Sequence, residues 1–208
     1  MTTHDLHQHR LASVPVDILR DLRTRHAEPQ RAYHTWQHVG ELVDLFAEVE
    51  DRLRSPEAVL FAVLFHDAVY DPRRSDNEER SADLLGAAAA GALDAKAMAT
   101  ARRLIDATKL HKLPVGLPAE EVSDARLFID MDLSILAASP DRFDEYQRQI
   151  RVEYAHIPDD AFRTGRSMVL SRFLERRPLF LSDWGRSRFA EQAFTNLQRA
   201  LAGLTNSR

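Results

Sequence analysis

Phe61–Asp71 reads FAVLFHDAVYD, an apolar run that drives into adjacent His66 and Asp67, with a further acid, Asp71, four residues on. An imidazole and a carboxylate at the end of a buried segment cost several kcal/mol unless they are paired with each other or bound to a cation. Neutral His nitrogen and Asp oxygen are both ordinary ligands for a divalent metal. A buried His–Asp hydrogen bond is the plain alternative, and for an isolated pair it is the better reading. Company elsewhere in the chain decides between them.

Working outward, Ser55–Pro56–Glu57 is a well-formed helix start: a capping hydroxyl, proline at the first helical position and an acid in the first turn. The helix it opens runs to about Ala68 and carries His66 and Asp67 in its last turn. Before it, a short helix at about Asp17–His26 leads into YHTWQH, Tyr33–His38, which opens a helix to about Leu53. Val39, Leu42, Val43, Leu45, Phe46 and Val49 form its apolar stripe. After it, Asp71–Pro72–Arg73–Arg74 breaks the chain, and Ser75-x-x-Glu78 reads as a capping box for a helix through about Leu85. Asp94 caps the next, which ends near Thr108. Further helices cover about Ser123–Ala137, a segment opened by Ser139–Pro140–Asp141, about Pro158–Glu175, and Arg188–Leu204.

Seven glycines in 208 residues, few stretches of period-two alternation and abundant Ala, Leu, Arg and Glu all favour helix over strand. The expectation is therefore an all-α fold, a single-domain bundle of eight or nine helices over residues 1–208. A net charge of −4 carries no global basic field, so no nucleic-acid polymer is expected as a partner. The absence of cysteine excludes disulfides, thiolate metal sites and cysteine nucleophiles. No run approaches membrane-spanning length, and the opening MTTHDLHQHR lacks the apolar core of a signal peptide. No membrane partner and a cytoplasmic location are the corresponding expectations. His4, His7 and His9 read as a solvated terminus rather than a metal-binding tract.

The candidate chemistry lies in three separate apolar segments that each bear His or Asp. His34 and His38, spaced i, i+4, would share a helix face. His66 and Asp67 end the next helix, and Asp130 and Asp132 sit in LFIDMDLSIL, where apolar residues flank both acids. Ligands for one metal come from different helices in just this way.

The order His38, His66–Asp67, Asp132 resembles the H…HD…D pattern of the HD superfamily of metal-dependent phosphohydrolases. YHTWQH, FHDAVYDP, DNEERSA, the TKLH of Thr108–His111 and DMDLSIL resemble a bacterial subgroup described as predicted metal-dependent HD phosphohydrolases. The resemblance implies an all-helical domain with its metal site within about residues 33–135. It implies His38, His66, Asp67 and Asp132 as ligands, Asp132 being preferred over Asp130 for the Leu133–Leu136 pattern that follows it. The donor set suits Mn, Fe, Co, Ni, Zn or Mg. A metal-activated water would then hydrolyse a small phosphorylated substrate, a nucleotide or other phosphomonoester.

On the same footing, Asp67, Glu78 and His111 are the catalytic candidates, Glu78 as general base and His111 on the phosphate or the leaving group. His34 would face substrate or orient a ligand. Lys109, Arg151 and Arg166 are candidate phosphate clamps, since phosphoryl groups need positive partners. Two other functions fit the same pattern: a di-iron oxygenase of HD type, which needs extra ligands that only Glu78 and His111 could supply, and a non-catalytic metal or nucleotide sensor. A homo-oligomer is compatible with the sequence.

Overall fold

The computed structural model describes residues 11–206, so His4, His7 and His9 lie outside the described residues. Nine α-helices and no strand are found among them: α1 (Val16–Arg25), α2 (Trp36–Val49), α3 (Pro56–Phe65), α4 (Asn77–Ala88), α5 (Ala95–Thr108), α6 (Val122–Asp132), α7 (Pro140–Glu153), α8 (Asp159–Glu175) and α9 (Asp183–Asn206). The fold is all-α, as the composition required. No described helix is long and apolar enough to cross a membrane. The chain divides into two compact units between Ile129 and Asp130, within α6.

In the first unit, α3 is the hub. Every residue from Ala58 to Phe65 is buried, and α2, α4 and α5 all pack against it. A helix apolar on all sides is stable only when enclosed, and each large side chain it buries contributes about 1.5–3 kcal/mol. The Ser55 side chain does not cap it. Instead the buried Asp124 carboxylate accepts from the backbone N–H groups of Arg54 and Ser55 at 2.8–3.0 Å. The negative charge thus lies where the helix dipole favours it. Asp94 caps α5 as expected, accepting from the Ala97 N–H at 2.7 Å.

In the second unit, a 3-10 segment (Leu133–Ala137) continues the chain beyond α6, and α7 and α9 pack on it while α8 packs on α9. Asn196, fully buried on α9, donates to the carbonyls of Leu136 and Ala138 at 3.0 and 2.9 Å, so the end of that segment has no orphaned acceptor. The last helix begins at Asp183, five residues before the expected start.

Candidate metal centre

α3 ends at Phe65, earlier than the sequence reading placed it. His66 is its cap, with the His66 N–H on the Ala62 carbonyl at 2.9 Å, and the Ala68 N–H returns to the Phe65 carbonyl at 2.9 Å. That tightened exit matters. Adjacent side chains on a continuing helix diverge by about 100°, whereas a turn at this point lets His66 and Asp67 reach one spot. His38 joins them from the first turn of α2. His38 Nε2 and His66 Nε2 are 3.1 Å apart, and Asp67 Oδ2 lies 3.0 Å from His66 Nε2 and 3.7 Å from His38 Nε2.

Proton bookkeeping shows what these atoms can hold. His66 Nδ1 is 3.0 Å from the Val63 carbonyl, which can only accept, so the ring proton sits on Nδ1 and Nε2 presents a lone pair. His38 Nδ1 is 3.1 Å from the Tyr33 hydroxyl, which can accept its proton; in that tautomer His38 Nε2, 3.1 Å from His66 Nε2, presents a lone pair as well. Lone pairs this close repel unless a proton or a cation stands between them. A shared proton satisfies one separation; a cation satisfies all three. Two atoms each about 2.0–2.2 Å from an ion lie about 3.0 Å apart at right angles and about 3.4 Å apart at the tetrahedral angle. The observed 3.0, 3.1 and 3.7 Å bracket those values. His38, His66 and Asp67 could therefore hold a metal ion. Burial by itself would push the Asp67 carboxyl up. When no metal is bound and the neighbouring rings are protonated, the charges of His66, His34 and His38 and a hydrogen bond from the protonated His66 Nε2 outweigh it and hold the group well below the usual carboxylate range.

The turn that carries Asp67 is tied down residue by residue. Arg31, its side chain fully enclosed, donates through Nη1 to the carbonyls of Asp67 (2.7 Å) and His34 (3.0 Å), and through Nη2 to that of Ala68 (3.2 Å). Ser81 accepts from the Val69 N–H at 3.0 Å, and Gln30 donates to the Tyr70 carbonyl at 3.1 Å. Asn77 clasps Asp71 by both its N–H (3.1 Å) and its carbonyl (2.9 Å). The expected capping box at Ser75–Glu78 is not formed. α4 begins at Asn77 with Asp76 in the cap position but no side-chain cap, because the Asp76 carboxylate is held by Arg74 at 2.6 and 2.7 Å. Arg31, Asn77 and Ser81 escaped the sequence reading; the signal lay in DNEERSA, where Asn77 and Ser81 stand one turn apart.

His34 is not on the helix face expected from its spacing to His38. It precedes α2, with its ring stacked on Tyr70 at 4.1 Å and edge-on to His38 at 6.3 Å. Glu78, in the first turn of α4, is half-buried; burial raises its carboxyl above the ordinary value, Lys109 opposes this and Asp67 adds to it. His111 follows α5 with a left-handed φ of 49°. The Lys109 ammonium is bound to the Ser75 carbonyl at 2.8 Å and to Glu79.

In the second unit Asp132 ends α6 and is 9% exposed. Asp130 is fully buried, and both its oxygens are committed. They accept from the Leu181 N–H (2.6 Å), the Ser182 N–H (2.7 Å) and the Ser182 hydroxyl (2.6 Å). A Cβ on Gly185 would stand 2.2 Å from Asp130 Oδ2, so glycine is required there. Arg151 is spent on Asp159 (2.6 Å) and on the carbonyls of Tyr154 (2.7 Å) and Ile157 (3.1 Å), which close the turn between α7 and α8. Arg166 is buried on α8, where its Nε donates to Gln147 Oε1 at 3.0 Å.

No family model matches the chain, and neither does any curated protein or solved structure. A helical fold with a His/His/Asp cluster is compatible with an HD-type protein, and the reading of the site rests on its own geometry.

Proposed function

We propose that the chain is a metal-dependent phosphohydrolase of the HD type, acting on a phosphate ester of small-molecule size. The observation that supports this is the convergence of His38 Nε2, His66 Nε2 and Asp67 Oδ2, three lone-pair donors at metal-ligand spacing. Asp132 is the fourth ligand in this reading, the role the sequence resemblance gives it. A bound divalent cation supplies an acidified water and neutralises charge on phosphoryl oxygens. The chain's own groups do the rest. Tyr33 and the Val63 carbonyl orient the two imidazoles through Nδ1, the arrangement by which outer groups fix metal-binding histidines. Glu78 is the proton acceptor for the attacking water in this reading, and burial, which raises its carboxyl, makes it the stronger base. His111 takes the leaving-group side and His34, half-buried and stacked on Tyr70, the substrate side.

Asp67→Ala tests the reading. Its backbone is held by Arg31 and its side chain is 19% exposed, so truncation removes a ligand and spares the turn. The variant should fold, bind no stoichiometric Mn, Co, Ni or Zn, and hydrolyse none of a panel of phosphate esters that the parent cleaves with one of these metals. A purely structural His–Asp pair predicts otherwise: unchanged metal content and a stability loss of about 1–3 kcal/mol. Metal analysis and thermal midpoint on one sample separate the two outcomes.

A further inference from the structure

On α7, Phe143, Tyr146, Ile150 and, at its last residue, Glu153 form the buried stripe, and Gln147 lies beside it; Glu153 makes no ion pair with Arg166. On α8, Arg166 and Leu170, one turn apart, form the buried face. Arg166 therefore occupies a position where the helical pattern calls for an apolar side chain. Its guanidinium lies over the Tyr146 ring, 4.9 Å from the centroid, and it is nine-tenths buried. Arginine at such depth is nearly always paired with a carboxylate. Even the more exposed arginines of this unit have carboxylate partners: Arg151 pairs with Asp159, Arg186 with Asp183 and Arg199 with Asp144. Among the described residues, the hydrogen bond Arg166 makes goes to the neutral amide oxygen of Gln147.

Two buried nitrogens then meet no acceptor of this chain among the described residues, Arg166 Nη2 and Gln147 Nε2. They flank one hydrogen bond, Nε to Oε1. Nη2 shares its carbon with Nε, and Nε2 shares its carbon with Oε1, so both unpartnered donors belong to the same short bridge. Rotating the amide cannot help, because it would set the Gln147 NH₂ against the Arg166 Nε–H. A buried cation with spare N–H groups in a planar fork is the chemistry that recognises a phosphate or carboxylate. A lone water would meet donors only, and it would leave the charge uncompensated.

We propose that Arg166 and Gln147 form an oxyanion-binding subsite in the second unit. The subsite stands on these two residues and goes beyond the metal-centre reading, so either can fail without the other. Glutamate at position 147 would supply from within the chain the carboxylate that the guanidinium lacks.

The test uses the full chain, stripped of metal with a chelator, and inorganic phosphate as the probe in calorimetric titrations. The parent should bind phosphate saturably. Arg166→Met, which keeps the stack on Tyr146, should weaken binding roughly tenfold or more, as expected for loss of hydrogen bonds to a charged group. Gln147→Glu should abolish binding and raise the thermal midpoint, and Asp67→Ala should bind phosphate like the parent. Acetate that competes as well as phosphate assigns the subsite to carboxylates; acetate that fails to compete assigns it to phosphoryl groups. The proposal is overturned if the parent binds neither anion, or if Gln147→Glu binds phosphate unchanged. Because Gln147→Glu is expected to be the more stable protein, a failure of Arg166→Met to fold leaves the test intact.

Discussion

Single residues show how burial sets protonation in the first unit. His26 caps α1, buried and edge-on to Trp36, with Nδ1 on the Leu22 carbonyl at 2.8 Å and no partner for Nε2 among the described residues. Burial lowers its pKa from 6.5 to about 4, the Leu22 hydrogen bond opposing and the nearby Arg31 charge reinforcing the shift. Between those values the unfolded chain takes up a proton that the folded chain refuses. The His26 contribution to stability is therefore fully present above pH 6.5, falls as the pH drops, and is gone below about 4. A shift of this size corresponds to about 3 kcal/mol. His26→Asn keeps a donor for the Leu22 carbonyl and does not titrate. Urea denaturation at pH 7.5 and 4.5 should show a smaller loss of stability in the variant than in the parent, and an equal loss would show that His26 is not the group responsible.

At the scale of elements, the candidate site depends on two irregular segments, the loop ahead of α2 and the turn after α3. Arg31 ties one to the other through the carbonyls of His34, Asp67 and Ala68. Arg31→Lys keeps the charge but not the planar fork, so it cannot serve all three carbonyls at once. The expected result is retained helix content with metal affinity weakened about 10–100-fold, the usual effect of removing an outer partner of a metal ligand. The absorption spectrum of bound Co should change as well, since the ligand geometry loosens; an unaltered spectrum and affinity would reduce Arg31 to packing. The limits of the sequence reading fall in the same place. Helix positions were legible because α2 carries a clear apolar stripe, and α3 and α5 open on a proline and an aspartate cap. His66 and Asp67 were legible because acid and imidazole interrupt an apolar run. Asn77 and Ser81 left only their one-turn spacing, which does not show that they bind the backbone of the turn after α3. Arg31 was not legible, because it acts on backbone carbonyls 36 and 37 residues away and nothing in the spacing of a lone Arg reveals that. The same holds for Asp124, which replaces the expected Ser55 cap from 69 residues away.

For the whole molecule, the metal reading makes binding and stability one measurement. An ion that binds only the folded chain stabilises it by about 2.7 kcal/mol at a hundredfold excess over its dissociation constant, about 5–10 °C in thermal midpoint for a chain of this length. Chelation should reverse the gain. The neighbouring acids of DMDLSIL then divide the outcome. Asp130 is fully engaged with Leu181 and Ser182 and hemmed in by Gly185, so Asp130→Asn, which sets an NH₂ against donors, should lower the midpoint with and without metal and leave the metal-induced gain intact. Asp132→Asn should do the reverse: a metal-free midpoint close to the parent's, and little or no gain when metal is added. Asp132 is buried at the end of α6, and its replacement by a near-isosteric amide removes charge while keeping volume. Thermal melts of both variants with and without Mn or Co decide the assignment. If Asp130→Asn loses the metal-induced gain and Asp132→Asn keeps it, the fourth ligand is Asp130, and its bonds to Leu181 and Ser182 must rearrange when metal binds.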